Sequence, residues 1–267
     1  MKPTIHAGIA SVTLRQYAYR NFIKNTKLTS LEYIEWGSDI HVPRDNLNKA
    51  VKVEDEMTAN SLFTSSYGSY YRLGSQMLES GDKTKVRCDV IATAKALHAS
   101  TIRIWGGDVG SSRITPEMRE TMVADAIEFA AIAGKNGLSI SLEYHLNTIT
   151  DTPDSAVDFI KEVRSRGADN IFLYWQINPY IDHRENLTAL TKVMPYLTNI
   201  HVFAWEKDTR LPLEAHKSRW LDYVNLVKNI STMEKHCFLM EFVKNDSVEQ
   251  LIEDAAVLCE IIKEVTR

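Results

Sequence analysis

The 267 residues are 44% hydrophobic and 25% charged, enough apolar material for one substantial core and too much for a largely disordered chain. A net charge of −4 with no Lys/Arg-rich run argues against nucleic acid or an anionic membrane as partner. Cys88, Cys237 and Cys259 are odd in number and far apart, which excludes a disulfide framework and a cysteine zinc site.

The first residues, MKPTIHAGIASVTLRQ, contain no long apolar stretch before a small-residue cleavage site. No segment approaches the roughly 20 apolar residues of a membrane span. The expectation is a cytoplasmic protein.

Short apolar runs then recur along the chain, each followed by a turn and a helical stretch. They are IHAGIAS from Ile5, LEYIEWG from Leu31, LFTSSYG from Leu62, TIRIWGG from Thr101, SISLEYH from Ser139, NIFLYWQ from Asn170, NIHVFAW from Asn199 and HCFLMEFV from His236. Their spacing, roughly 30 to 40 residues, is that of a βα unit. Most are apolar at consecutive positions, as in parallel strands covered on both faces. Eight such units predict one (β/α)8 TIM barrel over residues 1–267.

Between the runs, Thr115-Pro116 and Thr152-Pro153 read as a capping Thr before a Pro at the first helical position. Gly134 and Gly137 fit the end of the helix before the fifth run. In the last segment Val248, Leu251, Ile252, Ala255, Leu258, Cys259 and Ile262 form one helical face, with Asp246 and Glu249 as a capping box. Residues 43–60 and 72–85 are long and polar and read as loops over the barrel mouth.

In such a barrel the chemistry lies at the carboxyl ends of the strands. The fifth run ends in Glu143-Tyr144-His145, the sixth in Trp175-Gln176 and the eighth in Met240-Glu241-Phe242, while the seventh carries His201. Glu143 and Glu241 lie among apolar neighbours, where an ionised carboxylate must pair, bind a cation or take up a proton. Two carboxylates, an imidazole and an amide oxygen suit Mn, Mg or Co. The plainer alternatives are an ion pair from Glu241 to Arg103 and a core histidine at His201.

Four of the five tryptophans, Trp36, Trp105, Trp175 and Trp205, fall near run ends and could stack on sugar faces, whereas Trp220 reads as core. Arg210 follows the seventh run and could reach substrate oxygens, or be a solvated loop charge. His41 is a weaker candidate for the mouth. The stretch GGDVGSS after the fourth run is at most a weak anion site. No Walker loop, GxGxxG or GxSxG elbow occurs.

These residues resemble the xylose isomerase-like barrel superfamily, in particular its sugar phosphate isomerase/epimerase branch. YIEWGSDIHVP, IRIWGGDVGSS, LEYH, NIHVFAWEKDTR and LMEFV with DSVEQL carry the resemblance, which covers nearly the whole chain. It implies one divalent ion held at Glu143, Gln176, His201 and Glu241. Gln176 stands where the epimerases have Asp, which removes one negative charge but keeps an oxygen ligand. The epimerase His that follows that Asp has no counterpart, since Asn178 and Pro179 lie there. The resemblance also implies substrate contact by Arg210 and suggests a homo-oligomer. His145, Trp105 and Trp205 complete the expected substrate-binding set.

The reaction expected is isomerisation or epimerisation of a small carbohydrate through an enediolate, with Glu143 and Glu241 as the acid/base pair. A keto-sugar or keto-inositol lyase would use the same enolate chemistry. A sugar-binding barrel without catalysis is a third alternative, and a metal-dependent nuclease the weakest, since the chain lacks a basic face and the further His/Asp/Glu ligands of a multi-metal site.

Overall fold

The computed structural model describes residues 2–75 and 82–267. Among the described residues, eight parallel strands close into a barrel, and a helix follows each strand. The units are β1 (Thr4–Ala10) and α1 (Tyr19–Thr26), β2 (Tyr33–Gly37) and α2 (Leu47–Ala59), β3 (Phe63–Arg72) and α3 (Lys83–Ala96), and β4 (Thr101–Trp105) and α4 (Pro116–Lys135). The second half has β5 (Ser139–Glu143) and α5 (Pro153–Ser165), β6 (Ile171–Gln176) and α6 (His183–Val193), β7 (Leu197–Val202) and α7 (Lys217–Ile230), and β8 (Lys235–Met240) and α8 (Val248–Thr266). Pairing of β8 with β1, from Lys235 opposite Thr4 to Met240 opposite Ile9, closes the ring. The architecture is the (β/α)8 barrel that the eight apolar runs predict.

Strand side chains alternate between the two faces of the barrel wall. Ile34 and Trp36 on β2, Ile102 and Ile104 on β4, Ile140 and Leu142 on β5, and Ile200 and Val202 on β7 belong to the buried apolar layer under the helices. The alternate positions, Glu35, Arg103, Glu143 and His201, reach one another across the lumen. The barrel interior is therefore polar near its carboxyl end.

Thr115 and Thr152 cap α4 and α5 as expected, each with Pro at the first turn. Gly137 takes φ +73 beyond α4, and Gly134 lies in that helix's last turn, packed on Asn170. Two local readings are corrected. Ser247, not Asp246, caps α8, accepting from Gln250 N at 3.1 Å, and the Asp246 carboxylate instead binds Arg210. The segment expected as a loop over 43–60 contains α2, capped by Asn46 and seated through Ala50, Val53 and Met57. In the second expected loop, β3 continues to Arg72 and α3 starts at Lys83, while residues 76–81 lie outside the described residues. Among the described residues no helix is long and apolar enough to cross a membrane.

Candidate active site

Four strands deliver the groups at the barrel's carboxyl end. Glu143 is the last residue of β5, Gln176 the last of β6, and His201 lies on β7 in register with Gln176. Glu241 follows β8 directly. Its N–H donates to Val202 O at 2.9 Å, and the next residue, Phe242, turns away with φ +60 while its N–H donates to Thr13 Oγ1. These backbone contacts fix Glu241 beside His201.

His201 is the hub. Its Nδ1 lies 3.3 Å from Gln176 Oε1, 3.4 Å from Glu241 Oε2 and 3.7 Å from Glu143 Oε1. Its other nitrogen, Nε2, faces Glu35 Oε1 at 3.2 Å. The ligand atoms of Glu143, His201 and Glu241 all lie within 4.8 Å of one another. Arg103 joins the group from β4, with Nε 2.9 Å from Glu35 Oε1 and Nη1 bound to Glu143 Oε2.

All five of these ionisable groups are buried. Burial raises the pKa of Glu143, but Arg103 and then His201 outweigh it and bring it down to about 2. Against the same burial, Arg103 and His201 hold Glu35 well below the ordinary carboxylate range. Glu241 goes the other way: burial raises its pKa, and the attraction of His201 does not bring it back. Burial alone would lower the pKa of His201, but the charges of Glu241 and Glu35 raise it to about 10.

The donor set fits a divalent cation. Three carboxylates and one guanidinium leave two negative charges when His201 is neutral, and two carboxylates, one imidazole nitrogen and the Gln176 amide oxygen converge on the same side.

Above this floor opens a cavity of about 330 Å³ walled by Tyr70, Trp105, His145, Phe203, Trp205 and Phe242. Trp105 stacks on His145 with ring centres 4.6 Å apart, and Trp205 packs between Phe203 and Phe242. The structure thus brings Glu143, Glu241, Gln176, His145, Trp105 and Trp205 to one cavity, with His201 buried beneath it.

Other candidates lie elsewhere. Arg210 does not line the cavity: its guanidinium covers the rings of Trp205 and Phe242 and pairs with Asp246. Trp36 and Trp175 point outward into the helix layer, against Phe22 and Tyr223 respectively. His41 is a core histidine, with Nε2 3.0 Å from Tyr17 O and its ring on Phe22. In the glycine-rich loop after β4, Ser111 N–H is already bound by Asp151. The alternative partner for Glu241, Arg103, is committed to Glu143 and Glu35 instead.

Sequence reasoning overlooked Glu35, Arg15 and Tyr70. Glu35 carries the same signal as Glu143, a carboxylate among apolar strand residues, and that signal could have found it. Arg15 lines the cavity, paired with Asp39 and donating to Tyr70 OH at 3.0 Å. Tyr70 takes φ +56 within an irregular stretch of β3, a strained backbone that no local sequence feature announces.

No family model matches the sequence. Among curated proteins it is similar to a 3-dehydroshikimate dehydratase from Bacillus anthracis, 23% identical over 196 residues. That match spans 67% of this chain and 66% of the relative, just under two thirds of its length. Among solved structures it is similar to a D-tagatose 3-epimerase-like protein, with a TM-score of 0.76, 14% identity and 98% of each chain covered. It is also similar to a xylose isomerase-like TIM barrel protein from Mycobacterium smegmatis in complex with magnesium, with a TM-score of 0.70, 17% identity and 100% of each chain covered. At these identities the likeness is one of fold: the chain shares the (β/α)8 barrel of these proteins.

Proposed function

We propose that the chain is an enzyme that transfers a proton next to the carbonyl of a small polyhydroxylated substrate, as a sugar isomerase or epimerase does. The observation that carries this reading is the approach of Glu143 and Glu241 to one His201 nitrogen on the floor of a cavity with aromatic walls. Glu143, Gln176, His201 and Glu241 would hold a divalent ion (Mn, Mg or Co), whose chemistry there is Lewis-acid polarisation of a bound carbonyl.

Glu241 is the more basic of the two carboxylates, because burial raises its pKa while Arg103 clamps Glu143. It takes the proton alpha to the carbonyl, leaving an enediolate. In an isomerisation it delivers a proton, exchanged with solvent, to the neighbouring carbon, while the hydroxyl proton moves to the former carbonyl oxygen. In an epimerisation Glu143 takes up a proton from water, against the hold of Arg103, and passes it to the opposite face, while the proton on Glu241 returns to solvent. The stacked Trp105 and His145, with Trp205 across the cavity, suit the C–H faces of a sugar ring and exclude water from the reacting carbon.

A second reading is supported by the similarity to a 3-dehydroshikimate dehydratase. The same proton abstraction becomes a lyase reaction when a β-hydroxyl leaves, and His145, beside Glu143 in the cavity wall, can donate the proton to that oxygen. Both readings are tested by incubating the Mn2+-supplemented protein with ketoses, aldoses, keto-inositol and 3-dehydroshikimate in heavy water. Deuterium at the carbon next to the carbonyl is expected, with elimination product marking the lyase. Glu241→Gln should lower the rate by ~10² or more. Full turnover in both Glu143→Gln and Glu241→Gln would contradict the mechanism.

A further inference from the structure

Glu35 touches neither the cavity nor the convergent side of His201, yet it organises both buried charges next to that side. Its Oε1 lies 3.2 Å from His201 Nε2 and 2.9 Å from Arg103 Nε, and its Oε2 accepts from Ser66 Oγ at 2.8 Å. Ser66 Oγ is in turn 3.1 Å from Tyr174 OH, and the Tyr174 ring lies against the His201 imidazole with centres 4.7 Å apart. The carboxylate is therefore held from one side and holds two partners on the other.

The imidazole has two distinct nitrogens, and which one carries a proton is set by the bond the other makes. A carboxylate at Nε2 requires N–H there. That leaves Nδ1 as the nitrogen with a free lone pair in the neutral ring, and Nδ1 is the atom that faces Glu143, Gln176 and Glu241. The same carboxylate fixes Arg103, whose far end grips Glu143 Oε2. Glu35 thus reaches two of the candidate ligands, His201 directly and Glu143 through Arg103.

We propose that Glu35 is a positioning residue for cation binding: it presents His201 Nδ1 to the Glu143–Glu241 site and, through Arg103, holds the Glu143 carboxylate in place. This rests on the reading of that site as a cation site. Hydrogen-bond partners of metal-ligating histidines commonly change metal affinity 10- to 100-fold when removed. Glu35→Gln keeps an acceptor oxygen and removes only the charge; Glu35→Ala removes both.

The test compares wild type, Glu35→Gln and Glu35→Ala by Mn2+ titration and by 15N NMR of the histidine side chains, without metal and with Zn2+. Expected are a Mn2+ dissociation constant roughly tenfold higher in Glu35→Gln and up to 100-fold higher in Glu35→Ala. The His201 Hε2 proton should be seen in wild type and be lost to exchange with water in Glu35→Ala. Unchanged affinity together with an unchanged Hε2 signal in both variants would overturn the proposal. If Glu35→Ala fails to fold, Glu35→Gln decides by affinity. If wild type binds neither Mn2+ nor Zn2+, the cation reading fails and the proposal with it, while an Hε2 proton lost in Glu35→Ala would still mark Glu35 as the orienting partner of the ring.

Discussion

Gly68 on β3 and Arg103 on β4 are register partners, and a Cβ on Gly68 would lie 2.6 Å from Arg103 Nη2. The guanidinium crosses the barrel over that glycine on its way to Glu35 and Glu143. The missing side chain is thus part of the site, because it leaves room for the cation that holds two buried carboxylates.

Gly68→Ala is expected to destabilise the fold by ~1–3 kcal/mol through overpacking. The same substitution should weaken Mn2+ uptake, since the displaced Arg103 no longer grips Glu143. Urea denaturation and Mn2+ titration of the variant check both effects. Unchanged values would show that the guanidinium has another route across the lumen.

Cation binding should be coupled to a proton. The His201 pKa stands at about 10, so at neutral pH the ring is charged and Nδ1 must lose its proton to become a ligand. Affinity for Mn2+ is then expected to rise about tenfold per pH unit between roughly pH 6 and 8, with one proton released per ion. Calorimetric titrations in buffers of different ionisation enthalpy count that proton. An affinity independent of pH would mean that His201 is neutral before the ion arrives.

Away from the site, Asp254 on α8 accepts from Leu213 N at 2.8 Å and Gln250 Nε2 at 2.9 Å through one oxygen, and burial raises its pKa to about 6. The folded chain therefore holds this proton more tightly than the unfolded one, where Asp titrates near ~3.9. Stability contributed by the protonated form is present at low pH and lost as pH rises through about 6. Asp254→Asn keeps the acceptor oxygen and carries no charge. It should abolish that loss and raise stability at pH 7 by roughly 1 kcal/mol or more. Denaturant unfolding at pH 4 to 8 compares the two proteins.

The barrel was legible because each of the eight apolar runs overlaps a strand, and three of the groups that line the candidate site, Glu143, Gln176 and Glu241, were legible as polar residues near the ends of such runs. Glu35 lies within β2, apart from the four later strands whose ends carry the other polar groups. Its inward direction follows from the same alternation that sends Trp36 outward. That alternation also separates Gln176 from Trp175, so two of the four strand-end tryptophans belong under the helices. The helix α2 was hidden by its polar surface: Ala50, Val53 and Met57 form its buried face, while Leu47 and Val51 remain exposed. Arg210, expected as a substrate contact from its place in the chain, is paired with Asp246 and lies over the rings of Trp205 and Phe242. The contact between Arg15 and Tyr70 joins residues 55 positions apart through a strained Tyr70 backbone, which no sequence spacing encodes.

The most direct test of the cation site is anomalous diffraction from a crystal of the protein soaked in Mn2+. The account predicts one anomalous peak on the barrel floor, roughly 2.0–2.5 Å from a carboxylate oxygen of Glu143, from His201 Nδ1 and from a carboxylate oxygen of Glu241. A saturating soak that leaves no peak there, or places the ion away from these three side chains, would contradict it.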